Sequence, residues 1–204
     1  MKSKQGQSLI ELIIAITIIQ VGLFSVWSLF LYNFNAQKEA EMRIVGINLA
    51  REGVEVAKNM RDSNWLKRRN NILDDDNNII DWDNNLSAGN YYVSSIDDKL
   101  LLADIESDYQ LYTNNENFFI SEDVLNLGDK KKTPFSRKII IYDICCDDDD
   151  SNFQCDNFNY STLTDSSTNC PLKIGIKVVG ETSWLLNGNF RKAIIETDLY
   201  DWQQ

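Results

Sequence analysis

The chain has no histidine. Ser/His and Cys/His catalytic pairs and histidine-ligated zinc are therefore excluded, and with them much of hydrolytic chemistry. Positive charge is scarce too: 20 lysines and arginines stand against 31 aspartates and glutamates, a net charge of −11. Affinity for nucleic acid rests chiefly on cations that neutralise phosphates, so direct nucleic-acid binding is not expected. The basic runs that do occur, Lys67 to Arg69 and Lys130 to Lys132, sit among acidic neighbours and read as solvated loop charges. No C-x-x-C pair occurs, so the usual thiolate spacing of a zinc site is missing as well. Carboxylates are plentiful, but none can be paired across a shared cleft. An enzyme is the least favoured reading, and no catalytic residue, metal or cofactor is expected.

What the chain does have is one long apolar run. Ser8 to Tyr32 is interrupted only by Glu11, Thr17, Gln20, Gly22, Ser25 and Ser28, which is long enough to cross a bilayer core as one helix. Lys2 and Lys4 precede it and no basic residue follows until Lys38. That asymmetry places the N-terminus in the cytoplasm and the C-terminal bulk outside, as a single-pass protein of the cytoplasmic membrane. A secretory signal would end at a small-residue cleavage motif, whereas this run continues into further helix and is expected to be retained.

Glu11 is the charge that needs a reason. Ser8 and Glu11 in "SLIE" have the spacing of a capping box, which would satisfy backbone donors at the helix start near the headgroups. The second reading takes its partner from another chain. "GQSLIELIIAITII" resembles the class III signal of type IV pilins and pseudopilins: a basic leader, a glycine, an apolar helix, and a glutamate at the fifth residue after the cut.

That resemblance implies a leader over 1–6, cleavage after Gly6 by a prepilin peptidase, N-methylation of the new N-terminal Gln7, and Glu11 as the assembly carboxylate. It departs at Gln7, where major pilins carry phenylalanine, and so points to a minor subunit. Expected partners are other pilin or pseudopilin subunits, the peptidase, an inner-membrane assembly platform, and membrane lipid before assembly. The final location would be a cell-surface or periplasmic filament. The other class of reading is a membrane-anchored extracytoplasmic binding protein that never polymerises. Gly22, mid-span, marks either a loosening point of the helix or a close contact with a neighbour.

Beyond a transmembrane segment at 7–35, helical spacing continues over 36–66. Ala40, Ile44, Ile47, Ala50, Val54 and Ala57 form one row and Met42, Val45, Leu49, Val56 and Met60 another, with Gly46 and Gly53 between. Two buried sides are expected, one on the protein's own head; the other lies on neighbouring subunits or deeper in the same domain. The head, 67–204, opens with an Asn/Asp-rich loop whose "DDDNN" lacks the glycine and terminal glutamate of a calcium loop. Then come strand-like stretches, "NYYVSSI", "KLLLAD", "YQLYT", "RKIIIYDI", "LKIGIKVVG" and "FRKAIIETDLY", the last two read as a hairpin joined by "ETSWLLNGN". The expected fold is α+β: a long N-terminal helix packed on a mainly antiparallel sheet.

All four cysteines, Cys145, Cys146, Cys155 and Cys170, fall in one polar stretch that includes the aspartates Asp147 to Asp150. Outside the cytoplasm they are expected to be oxidised. Adjacent cysteines rarely bond each other, so Cys145 and Cys146 are expected to pair separately with Cys155 and Cys170. The order is open.

Overall fold

The computed structural model describes residues 9–73, 77–94, 98–113, 119–121, 131–146, 158–161 and 172–201. The chain divides into two compact units, Met1–Met42 and Arg43–Gln204, and the first helix, α1 (Leu9–Arg69), contributes to both.

In the first unit the helix is apolar nearly all round, and its large side chains from Leu9 to Phe34 are exposed. In the second unit the same helix is amphipathic. Gly46, Leu49, Ala50, Gly53, Val54, Ala57, Asn64 and Trp65 are buried at steps of three and four, the spacing of one helical face. The single buried stripe draws from both rows, while Ala40 and Ile44 are exposed and Arg51, Glu55, Lys58 and Asp62 face solvent.

The helix runs three residues past the expected end at 66, because the chain carries a good stop there. Asn71 takes a left-handed conformation (φ 51°). Asn71 N–H donates to the Arg68 carbonyl at 3.0 Å and Ile72 N–H to the Lys67 carbonyl at 2.9 Å. That is the Schellman arrangement, and it satisfies carbonyls the last turn would otherwise leave open. Lys67 to Arg69 therefore sit in the last helical turn, where cations complement the helix dipole, rather than in a loop.

The sheet holds β1 (Gly89–Val93), β2 (Leu100–Leu102), β3 (Gln110–Thr113), β4 (Phe119–Ile120), β5 (Lys131–Cys146), β6 (Phe158–Ser161), β7 (Leu172–Leu186) and β8 (Asn189–Tyr200). All pairings are antiparallel. β5 is the centre. One edge pairs with β7 from Phe135↔Trp184 to Cys146↔Leu172, and the other is shared in succession by β3, β1 and β6. Lys131 and Lys132 open β5 as exposed strand residues, not as loop charges.

Four strands differ from expectation. β5 is longer at both ends, β4 and β6 were not anticipated, and "TSWLL" belongs to β7. The hairpin loop shrinks to Asn187 and Gly188, both with positive φ (50° and 76°), the geometry that matches the twist of a two-residue hairpin turn.

Thr133, Phe135, Arg137, Ile139 and Ile141 of β5 alternate inward. With Ile176, Val178, Leu199, Val54, Ala57, Trp65, Trp82 and Leu86 the two isoleucines form the core between sheet and helix. The layers approach closely at three points. A Cβ on Gly46 would meet Trp184, one on Gly53 would meet the end of Ile139, and one on Gly180 would meet the Ala50 carbonyl oxygen.

Candidate functional site

The long apolar stretch is the feature that a protein core does not explain. Within α1 an 18-residue window reaches a mean hydropathy of 2.4, with none of it buried inside the protein. Exposing so much apolar surface to water is unfavourable at about 25 cal/mol per Å². The segment is consistent with a single membrane span.

Glu11 lies in the first turn of this helix. It is exposed and makes no ion pair or hydrogen bond among the described residues. Ser8, its capping-box partner, lies outside them, as do Gly6 and Gln7.

Cys145 and Cys146 end β5 beyond a register irregularity at Ile144/Cys145. Side chains of neighbouring strand residues normally point to opposite faces. The irregularity leaves the extra residue, Ile174, on β7 rather than on β5, and both cysteines are buried. Neither is a free thiol. Cys155 and Cys170 lie outside the described residues, and so do Asp74 to Asp76 and Asp147 to Asp150.

Beside the cysteines is a cluster that sequence reasoning missed. Lys173 stands opposite Cys145 in the β5–β7 register. Its Nζ lies 2.5 Å from Asp83 and 2.7 Å from Asp143, and it approaches the ring of Trp82 at 5.9 Å. Burial alone would lower the lysine's pKa, but the hydrogen bonds and charges of Asp143 and Asp83 outweigh it, and the net shift is upward. The turn holding Trp82 and Asp83 is tied to α1 by Asn64, whose Nδ2 donates to the Trp82 carbonyl at 3.2 Å and the Asn84 carbonyl at 2.8 Å. Arg68 adds ion pairs to Asp81 and Asp201 at 3.2 and 3.1 Å. No sequence signal joins residues 83, 143 and 173. Only the fold brings them together.

A buried cation, Arg137, lies on the helix-facing side of β5. Its Nη1 lies 2.8 Å from Glu52 Oε2 of α1, while its Nε has no hydrogen-bond partner among the described residues. These polar clusters join helix to sheet, and each charge in them is taken up by an opposite one. They have the make-up of structural ties rather than of a reaction centre.

No family model, curated protein or solved structure matches the chain.

Proposed function

We propose that the chain is a non-catalytic structural subunit of the type IV pilin or pseudopilin kind. It enters the cytoplasmic membrane N-terminus first inside, loses residues 1–6 to a prepilin peptidase, and assembles through its N-terminal helix into a pilus or a secretion-type pseudopilus. The observation that carries this reading is Glu11. It is a lone carboxylate in the first turn of the apolar half of α1, at the fifth position after Gly6 of a basic leader.

The physical case rests on an unpaired charge among helices. A carboxylate surrounded by apolar neighbours is costly alone and tolerable when paired. Cleavage after Gly6 would create an α-amino group on residue 7 of each subunit, and Glu11 of a neighbour would meet it only in one axial register. The exposed apolar side chains of Leu9 to Phe34 would first be covered by lipid and then by neighbouring helices. The head, tied to the helix by Arg137 and Asn64, would travel with it. Disulfides at Cys145 and Cys146 would fit an extracytoplasmic head, since such bonds persist in oxidising compartments.

Mass spectrometry of the mature N-terminus tests the reading. Protein sheared from the cell surface or recovered from the periplasmic face should begin at Gln7, with a mass increment of one methyl group. A chain that begins at Met1 or Lys2, or beyond Leu9, would sink it.

A further inference from the structure

Between Thr17 and Tyr32 the polar side chains of α1 are not scattered. At about 100° per residue, Thr17, Gln20, Ser25, Ser28 and Tyr32 fall on one side, about 140° wide, while Leu12, Ile16, Ile19, Leu23, Val26 and Phe30 fall on the opposite side. The polar side also carries a shallow groove bordered by Gln20, Val21, Phe24, Ser25, Ser28 and Tyr32.

Its polar groups differ in how they are satisfied. Thr17 Oγ1 donates to the Ile14 carbonyl at 2.8 Å and Ser25 Oγ to the Val21 carbonyl at 2.9 Å. Those two hydroxyls would be silent in hydrocarbon. Gln20 has no such outlet: its amide makes no hydrogen bond among the described residues. It also sits near the middle of Leu9–Phe34, about 15 Å from either edge of a bilayer core, farther than a glutamine side chain can reach. An unsatisfied primary amide at that depth is costly and favours any partner that can bond it.

We propose that the span pairs in the membrane with a second copy of itself through this side, the two Gln20 amides hydrogen-bonding across the helices. The amide is both donor and acceptor, so it complements itself. A second copy inserted in the same direction is also the partner bound to hold an amide at the same depth. Ser25 and Ser28 let the two backbones approach. The proposal rests on the membrane half of the reading above and is separate from the role of Glu11.

The test uses the full-length chain in bacterial membranes with one cysteine added at a time, oxidised mildly and compared with the parent chain as background. Ser28→Cys should give a covalent dimer, and Val26→Cys, on the opposite side, much less. Adding Gln20→Leu to Ser28→Cys should lower the dimer about three- to tenfold, while Gln20→Asn should keep it. Glu11→Ala should leave it unchanged. Equal cross-linking from both sides, indifference to Gln20→Leu, or a product containing a different polypeptide overturns the pairing. A dimer lost with Glu11→Ala but kept with Gln20→Leu does so as well. Extraction of the chain by alkaline carbonate would instead show that the membrane reading had failed, and the pairing with it.

Discussion

Gly180 of β7 lies so close to Ala50 of α1 that a Cβ on the glycine would overlap the Ala50 carbonyl oxygen. A backbone atom cannot rotate away, so helix and sheet must separate to admit even one methyl group. At Gly53 the obstacle is the far end of the Ile139 side chain, which can move. Gly180→Ala should therefore destabilise the protein by about 1–3 kcal/mol. Gly53→Ala should cost less, because alanine regains up to about 1 kcal/mol of helix propensity. Urea unfolding of the detergent-solubilised chain, followed by tryptophan fluorescence, checks the order; a Gly53→Ala protein less stable than Gly180→Ala would contradict this packing.

Arg137 and Glu52 should respond unequally to substitution. The arginine side chain is 2% exposed and the glutamate 52%. Glu52→Ala leaves a buried guanidinium without its counter-charge and should cost about 1–3 kcal/mol. Arg137→Met removes the charge itself and fills much of the same volume, so it should cost less or nothing. The double variant should resemble Arg137→Met alone. Equal costs for the two single variants would mean that the pair contributes by packing only.

Lys173 predicts a pH dependence at the alkaline end. Its pKa is raised in the folded protein, so the stabilisation from its ion pairs is complete below the ordinary lysine range and is lost as pH rises through the raised value. Lys173→Met, which leaves Asp83 and Asp143 facing each other, should lower stability by about 1–3 kcal/mol. The gap between the two proteins should be constant from about pH 6 to 9 and close only above about pH 10.5. Denaturant midpoints measured across that range decide; a gap that closes at neutral pH would mean that another group is titrating.

These clusters also show where sequence reading stops. The helix, its apolar and amphipathic parts, and β1, β2, β3, β7 and β8 were legible, because their apolar spacing and Asn/Gly punctuation are local signals. β4 pairs only Tyr112↔Ile120 and Thr113↔Phe119, too short a ladder to leave a pattern. The full length of β5 was hidden because Pro134 and the lysines ahead of it look like loop residues, although they open an exposed end of the strand. Glycines 46 and 53 were visible, but not their meaning, which depends on Trp184 and Ile139 lying opposite. Of the proposed site, Glu11 was legible because the signal around it is contiguous. The Lys173 cluster was not, since its members meet only through the antiparallel register.

The cysteines carry the fourth prediction. Cys145 and Cys146 are buried at the end of β5 and neither is a free thiol; we predict two bridges, to Cys155 and Cys170. Peptide mapping without reduction should find each of the adjacent pair joined to a different partner. Removing one bridge should cost about 2–4 kcal/mol, because it frees a loop poor in apolar residues. Four alkylatable thiols in protein taken from the native envelope would defeat the prediction, and so would a bridge between Cys145 and Cys146 themselves.

The last prediction separates two roles for Glu11 by the environment in which its charge matters. In the membrane a single chain can hold the first helical turn near the headgroups, or protonate the carboxyl group, so insertion should not depend on this side chain. Among packed helices an unpaired carboxylate, or an unpaired amine opposite it, costs several kcal/mol, and the pair offsets much of that. Glu11→Ala and Glu11→Gln should thus leave expression, membrane insertion and the fold of the head nearly unchanged while lowering filament incorporation at least about tenfold, which is about 1.4 kcal/mol per assembly contact. The measurement is the ratio of sheared, filament-associated protein to membrane-associated protein for each variant in the native host. Incorporation equal to wild type would reduce Glu11 to a helix cap, since a cap contributes only to the subunit's own helix. Failure to insert would remove both roles at once, because neither a cap near the headgroups nor a contact between subunits is needed to place an apolar helix in a bilayer.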